Sequence, residues 1–467
     1  MTNRRQLLHS FAVGATLGWP ALIRQAGAQS AQRFSLGVAS GHPRPDGMVL
    51  WTRLTGERLG ERETVRWEVA ADEKFQRIVA RGEEIAEAAW GHSVHAEPLG
   101  LEPGRWYWYR FSTLGEQSAA GRTRTAPAED AKATLRFVVA SCQRYDVGHY
   151  AAWRHAAAEN PDFVLFLGDY IYESASGSNA IRRHEGTVAK TLAEYRARYV
   201  TYKSDPLLQA AHRAAPWLMV WDDHEVANDY ANLQSQDLDP AFSTRRAAAY
   251  QAYWEHMPFP KSARPRGPDM RIVSRVDWGA LARIHLVDDR QYRDPQACPR
   301  PNQGGSNTVA LAQCPALTDP ARTLLGTEQE QWLAAGWDLG RPWNVVAQQT
   351  LMARFTWLDP AIGGGGYWTD GWDGYAPARN RLLGTVAAKK VPGVVVLGGD
   401  VHSNYVADLK ADYDDPRSPI VASEFCGTSI SSLSLALFSV AVRTVCAPAL
   451  PASIEEARAS ASFMRIS

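Results

Sequence analysis

Past its N-terminus the sequence has no apolar run that could cross a bilayer, no internal repeat and no excess of either charge. A membrane span needs roughly 18 to 20 consecutive apolar residues, so export or solution is left open and a polytopic protein is excluded. Fifty basic residues are matched by fifty acidic ones, and nothing in the bulk charge points to nucleic acid or an anionic membrane. Cysteine is scarce, at five residues. In an oxidising compartment an odd count leaves one thiol unpaired. Cys298 and Cys314 bracket a Pro/Gly/Asn-rich loop, where a bridge would contribute about 3 kcal/mol. Cys426 and Cys446 are candidates for a second pair, although connectivity does not follow from sequence. Cys142 is then left alone at the end of F-V-V-A-S-C. A lone cysteine is most often a small buried hydrophobe, so its neighbours must decide. Tryptophan is abundant, at 17, yet most such rings belong to a core.

The compartment is read from residues 1–29. Arg4 and Arg5 precede Gln6-Leu7-Leu8, a moderately apolar stretch follows, and Ala26-Gly27-Ala28 stands before Gln29. This is the layout of an export signal over residues 1–28 with a small-residue cleavage site, and the arginine pair favours the twin-arginine route. A retained anchor helix is disfavoured by Pro20 and by the shortness of the apolar span. The expectation is a periplasmic or secreted protein that meets the twin-arginine export machinery and has no transmembrane segment once the signal is removed. That route carries folded proteins, often with cofactor loaded, a mild hint of a metal.

The rest of the chain suits two domains. Over residues 33–127, short alternating segments such as M-V-L-W-T-R-L, T-V-R-W-E-V-A and W-Y-W-Y-R-F are separated by turn residues. They predict an antiparallel β-sandwich domain, and Leu101-Glu102-Pro103-Gly104 before the last of them resembles the corner of a fibronectin type III module. Residues 122–134 read as a linker. Over residues 133–467 apolar runs alternate with helical stretches, as in a layered α/β core. Residues 243–257 are helical by composition, Thr327 to Glu330 is expected to act as a capping box opening another helix, and Gly363 to Gly366 begins a loop ending at Tyr375.

The chemistry lies in the residues directly after each apolar run. R-F-V-V-A-S ends at Cys142, F-V-L-F-L-G at Asp169 with Tyr170-Ile171-Tyr172 behind it, and W-L-M-V-W at Asp222-Asp223-His224-Glu225. I-H-L-V ends at Asp288-Asp289-Arg290, and G-V-V-V-L-G-G at Asp400-Val401-His402. In open α/β sheets the ligand crevice lies outside the carboxyl ends of the strands. Taken singly, a Gly-Asp turn or an acidic helix start carries little. Five turns that all offer metal-ligand chemistry point to a metal cluster.

In that order, S-C-Q, G-D-Y-I-Y-E, W-D-D-H-E-V, D-D-R-Q-Y-R, G-D-V-H-S-N and E-F-C-G-T-S-I-S-S resemble the alkaline phosphatase D family of the calcineurin-like metallophosphatases. F-S-L-G-V-A-S-G-H-P and V-L-W-T-R-L resemble that family's leading β domain. The resemblance implies an α/β core of two β-sheets flanked by helices, preceded by the β-sandwich, and a binuclear site that hydrolyses phosphate esters. Carried over by position, Asp169 would bridge two metals, with Tyr172, Cys142 and His402 on the more oxidised one. Thiolate, phenolate, carboxylate and imidazole together suit Fe3+, whose charge lowers the thiol and phenol pKa values.

Asp223 and Asp400 stand where broader metallophosphatases place Asn and His, so the second site becomes oxygen-rich and prefers Ca2+, Mg2+ or Mn2+ over Zn2+. The resemblance favours calcium, with Asp222, Glu225 and Asn228 as rival ligands. The expected reaction is in-line attack by a metal-activated hydroxide. His224 would protonate the leaving alkoxide or steady the phosphoryl oxygens, Arg290 would clamp the phosphate through its planar fork or serve as a salt-bridge partner, and Asn228, Asn404 and Tyr375 are candidates for substrate contact. The departure from the family's pattern is Asp289, where threonine is frequent, and it bears on the phosphate contacts. The same pattern would serve a monoesterase, a phosphodiesterase or a phospholipase D acting on lipid phosphates. A secreted binding protein braced by a metal is the non-enzymatic alternative, and it would be marked by missing ligands.

Overall fold

The computed structural model describes residues 32–356 and 365–433 and the backbone of residues 462–466. The expected signal over residues 1–28, Cys446, Gly363 and Gly364 lie outside them. Seven strands form the first sheet, in the order Ser462–Ile466, Leu135–Ala140, Phe163–Phe166, Trp217–Met219, Val38–Arg44, Gly47–Arg53 and Ser93–Ala96. Phe163–Phe166 is paired in parallel on both sides. Its four residues are all apolar and all buried, as expected of a strand covered on both faces rather than one. The helix Ala151–Ala158 covers the outer face, setting Trp153 against Phe166 and Trp217.

Six strands make the second sheet, in the order Ser274–Trp278, Ala282–Leu286, Trp343–Ala347, Val394–Gly398, Ile420–Cys426 and Tyr405–Lys410. The middle pairings are parallel and both edge pairings antiparallel. The two sheets pack face to face through one core in which Phe137, Phe163 and Leu165 meet Trp278, Ile284, Val345 and Leu397. The helices Thr327–Ala335 and Ala376–Lys389 close the other face of the second sheet with Leu333, Leu383 and Val386.

The leading strands behave differently from an independent sandwich. Arg62–Ala70, Ile78–Glu87, Trp106–Thr113, Glu116–Gln117 and Gly121–Arg124 form a separate five-stranded sheet. In W-Y-W-Y-R-F, Tyr107, Tyr109 and Phe111 alternate inward and pack with Val65 and Val69 on Met48, Leu50 and Val94. Those facing residues lie on strands of the first sheet, which Val38–Arg44 joins by pairing Gly41 with Trp217. One face of the sandwich is therefore the edge of the core sheet, a pairing across some 176 residues that local pattern cannot show.

Two local expectations are corrected or refined. The helix at Thr327 forms, but its N-cap is Gly326 with no side-chain bond. Glu330 is drawn instead to Thr323 Oγ1 at 2.5 Å and to Arg381 at 2.8 Å. A reciprocal capping box is made elsewhere, by Thr191 and Glu194 at the helix Leu192–Lys203. Cys298 and Cys314 are bridged, while Cys426 is a buried free thiol donating to the Gly399 carbonyl at 3.2 Å; Cys446, the partner considered for it, lies outside the described residues.

Candidate metal centre

The five strand ends meet, but they come from both sheets. Cys142, Asp169 and Asp223 follow strands of the first sheet, and Arg290, Asp400 and His402 follow strands of the second. The crevice is thus the seam between two rows of carboxyl ends rather than a switch point within one sheet. The turns are tight. Cys142, Asp169, Asp400 and His402 have φ of 57°, 59°, 63° and 53°, in the left-handed region. Gly168, at φ 108°, lies where an added Cβ would stand 2.5 Å from the Cβ of Asp222, so only glycine lets these two turns pass.

Two groups of ligand-type atoms result. One ligand atom each from Cys142, Asp169 and His402 fall within 4.8 Å of one another, and so do those of Asp169, Asp223 and His224. Asp169 belongs to both. The Tyr172 hydroxyl donates to Asp169 Oδ2 at 2.7 Å and lies 3.3 Å from His402 Nε2, which places the phenol in the first group. His402 Nδ1 is engaged by the Leu433 carbonyl at 2.8 Å, leaving Nε2 for the centre. Ser432 Oγ lies 2.7 Å from the Tyr172 oxygen and 2.9 Å from the Cys142 carbonyl.

On the other side, Asp223 Oδ2 accepts the Asp229 amide at 2.7 Å. His224 Nδ1 is held by Glu173 at 2.7 Å, so Nε2 faces the carboxylates. Glu225, a rival ligand by sequence, is used up by the backbone: it accepts the amides of Asp169, Tyr170 and Asp222 at 3.1, 2.5 and 2.9 Å. Asp222 pairs with Arg290 Nε. Arg290 is fully buried, with Nη1 on Asp370 at 2.7 Å and Nη2 at 3.9 and 4.0 Å from Asp223 and Asp400.

The electrostatics fit cations. Asp169 Oδ1, Asp222 Oδ2, Asp223 Oδ1 and Asp400 Oδ2 are buried and have no hydrogen-bond partner among the described residues. Such oxygens are costly unless something positive is added. Burial, with the Asp169 charge next, pushes the Cys142 thiol and the Tyr172 phenol well up. Asp169 is raised to about 7, chiefly by burial and against the pull of His224. Burial alone would lower the His224 pKa, but Asp223, Glu173 and Asp169 outweigh it and hold the ring well above its usual value. Acids that resist ionising together until a cation arrives are what a metal site presents.

The remaining candidates sit further out. Asn228 donates its side-chain amide to Gln236 at 3.0 Å, and its backbone amide goes to Glu173 at 2.9 Å. Asn404 is exposed, its Oδ1 accepting the Thr428 amide at 3.0 Å. Tyr375 is buried, donates to the Asp294 carbonyl at 2.6 Å, and lies under the guanidinium groups of Arg293 and Arg322. Sequence reasoning missed Glu173 and Asp370. Glu173 closes the G-D-Y-I-Y-E motif and so had a local signal, whereas Asp370 had none.

Two face-to-face sheets thus carry, at their strand ends, a carboxylate shared between two groups of ligand-type atoms. The PhoD-like phosphatase description matches residues 137–460 and its N-terminal domain matches residues 21–127, and the chain belongs to this family. It is 44% identical over 421 residues to alkaline phosphatase D of Bacillus subtilis (strain 168), covering 86% of this chain and 70% of that protein. A solved structure of PhoD aligns with a TM-score of 0.81 at 44% identity, covering 86% of this chain and 78% of the other. The purple acid phosphatase PPD1 from yellow lupin (Lupinus luteus) seeds shares the fold, with a TM-score of 0.51 at 12% identity over 83% and 63% of the two chains. The protein is a phosphatase acting on phosphate esters. Among the described residues no helix is long and apolar enough to cross a membrane.

Proposed function

We propose that the protein is an exported, metal-dependent phosphoric ester hydrolase with one Fe3+ and one divalent cation, Ca2+ in preference to Mg2+, Mn2+ or Zn2+. The observation that carries this reading is the membership of Asp169 in both ligand groups. Cys142, Tyr172, Asp169 and His402 would hold the iron, their anionic donors offsetting its high charge, and Asp169, Asp223 and Asp400 would hold the calcium through oxygen alone. Bound there, the pair of cations supplies Lewis acidity at the phosphoryl oxygens and brings the pKa of water towards about 7.

The chain's own groups do the rest. Glu173 fixes the ring of His224 through Nδ1, so that Nε2 can hand a proton to the departing oxygen. Arg290 has Nε and Nη1 committed to Asp222 and Asp370, which makes it a brace for the carboxylates and leaves Nη2 as the one edge that could meet a phosphate. Tyr375 packs, with its hydroxyl taken by Asp294, and the substrate contacts fall to Asn228 and Asn404. Residues 33–127 and 133–467 are read as the leading and catalytic units, and residues 1–28 as the twin-arginine signal that delivers the protein to the periplasm or medium.

Elemental analysis with an absorption spectrum tests the metals. Iron and calcium are expected in the purified protein, with charge-transfer absorption from the thiolate and the phenolate that weakens in Cys142→Ser and in Tyr172→Phe. A colourless, iron-free and fully active protein would overturn the iron assignment. Parallel rates on p-nitrophenyl phosphate and bis(p-nitrophenyl) phosphate separate a monoesterase from a phosphodiesterase of the phospholipase D type.

A further inference from the structure

Asp370 belongs to none of the strand-end motifs. It lies between the strand Tyr367–Trp368 and the turn of helix Trp372–Tyr375, on a segment distant in sequence from every candidate ligand except Asp400 and His402. Its side chain is fully buried, as are those of Arg290 and Arg293. Oδ2 accepts from Arg290 Nη1 at 2.7 Å; Oδ1 accepts from Arg293 Nη1 at 2.7 Å and from Gln296 Nε2 at 2.6 Å. Beyond Asp370, Arg290 reaches Asp222 through Nε and approaches Asp223 and Asp400 with Nη2. That Nη2 has no hydrogen-bond partner among the described residues. A continuous buried row of alternating charge therefore runs from Arg293 through Asp370 and Arg290 to the three carboxylates.

We propose that Asp370 is a positioning residue that holds Arg290 in place and, by neutralising it, sets the cation affinity of the carboxylate side of the centre without touching the ion. The inference rests on the metal reading above. Its physical basis is that a buried guanidinium about 4 Å from two carboxylates competes with any cation they would bind. A partner on its far side offsets that competition. Removing Asp370 leaves the full Arg290 charge on Asp222, Asp223 and Asp400, and loss of an outer-shell partner weakens metal affinity by about 10- to 100-fold. Removing Arg293 acts in the opposite sense, because Asp370 is then shared with one arginine fewer. The Cys142, Tyr172 and His402 side makes no contact with Arg290 among the described bonds, so its ion should be indifferent to both changes.

The test uses the exported protein and its Asp370→Asn and Arg293→Gln variants, stripped of calcium and titrated with calcium alone by calorimetry, with iron counted by elemental analysis and folding checked by near-ultraviolet circular dichroism. The expected result is calcium binding about tenfold weaker in D370N and about threefold tighter in R293Q, with iron content equal in all three. Wild-type affinity in D370N, or iron and calcium lost together in a folded D370N, overturns the proposal. If D370N does not fold, R293Q decides: tighter binding supports it, and unchanged or weaker binding overturns it. A wild-type protein that takes up no calcium overturns the metal reading, and this inference with it, whereas equal affinities in the three proteins overturn the inference alone.

Discussion

The two halves of the centre are built by opposite means. The side with Cys142, Tyr172 and His402 is neutral apart from Asp169 and is fixed by short local bonds: Tyr172 to Asp169, His402 to a carbonyl, Ser432 between Tyr172 and Cys142. The side with Asp222, Asp223 and Asp400 is strongly acidic and is fixed by a buried arginine that reaches across the seam from the second sheet. Thiol, phenol and imidazole can be buried together because each is harmless when uncharged. Several buried carboxylates cannot share a site without an internal counter-charge, because each raises the cost of ionising the next. The difference is that one half is held by bonds among its own donor groups and the other by the charge row behind them.

Breaking the group common to both halves should have the largest effect. Asp169→Asn removes the shared charge while keeping the shape, and turnover should fall by on the order of 10³-fold or more, about 4 kcal/mol of barrier. Steady-state rates beside an unchanged circular dichroism spectrum check this, and near-normal activity would take Asp169 out of the bridge. A smaller loss is expected when only the orientation on the carboxylate side is disturbed. Glu173→Gln keeps a hydrogen bond to His224 but not the charge, and kcat should drop about 10- to 100-fold, with iron colour untouched. Colour and activity falling together would mean that the two halves are not separable.

The smallest effect lies outside the centre and separates acid lability of the fold from that of the site. His95 is buried beneath Trp254 and bonded to the Phe259 carbonyl at 2.8 Å. Burial lowers its pKa from 6.5 to about 3. Between these values the unfolded chain binds a proton that the folded one does not, so stability is lost as pH falls below 6.5. The loss is at most about 2 kcal/mol by pH 5. Urea midpoints at pH 7 and pH 5 should therefore differ less in His95→Gln than in the parent, and an identical acid drop in both would exonerate this ring.

Much of the candidate centre was legible because its ligand-type residues stand at or within a few positions of the end of an apolar run, where strand and turn are encoded by the same few residues. F-V-L-F-L-G-D needs no tertiary information to announce a buried strand ending on a carboxylate. The division of those runs between two sheets was not legible from spacing, since parallel pairing joins residues such as Val164 and Val138 without any local signal. The leading sandwich showed its alternation at Tyr107, Tyr109 and Phe111, but not that its facing strands extend the core sheet. Glu330 followed the pattern of a cap and bonded Thr323 and Arg381 instead, because a carboxylate chooses its partner in space. For the same reason the sequence left Arg290 open between a phosphate clamp and a salt-bridge partner. Its two fixed partners, Asp222 and Asp370, are 68 and 80 residues away.

The left-handed turns at Cys142, Asp169, Asp400 and His402 leave a mark on how such a sequence can drift. For a residue with a side chain this backbone costs about 1 kcal/mol relative to glycine. At each of these four positions the substitution that relaxes the chain is thus the one that erases a donor atom. Folding pressure and chemistry pull in opposite directions there, and a descendant freed from its reaction could keep its architecture, or even gain firmness, while losing the centre one glycine at a time.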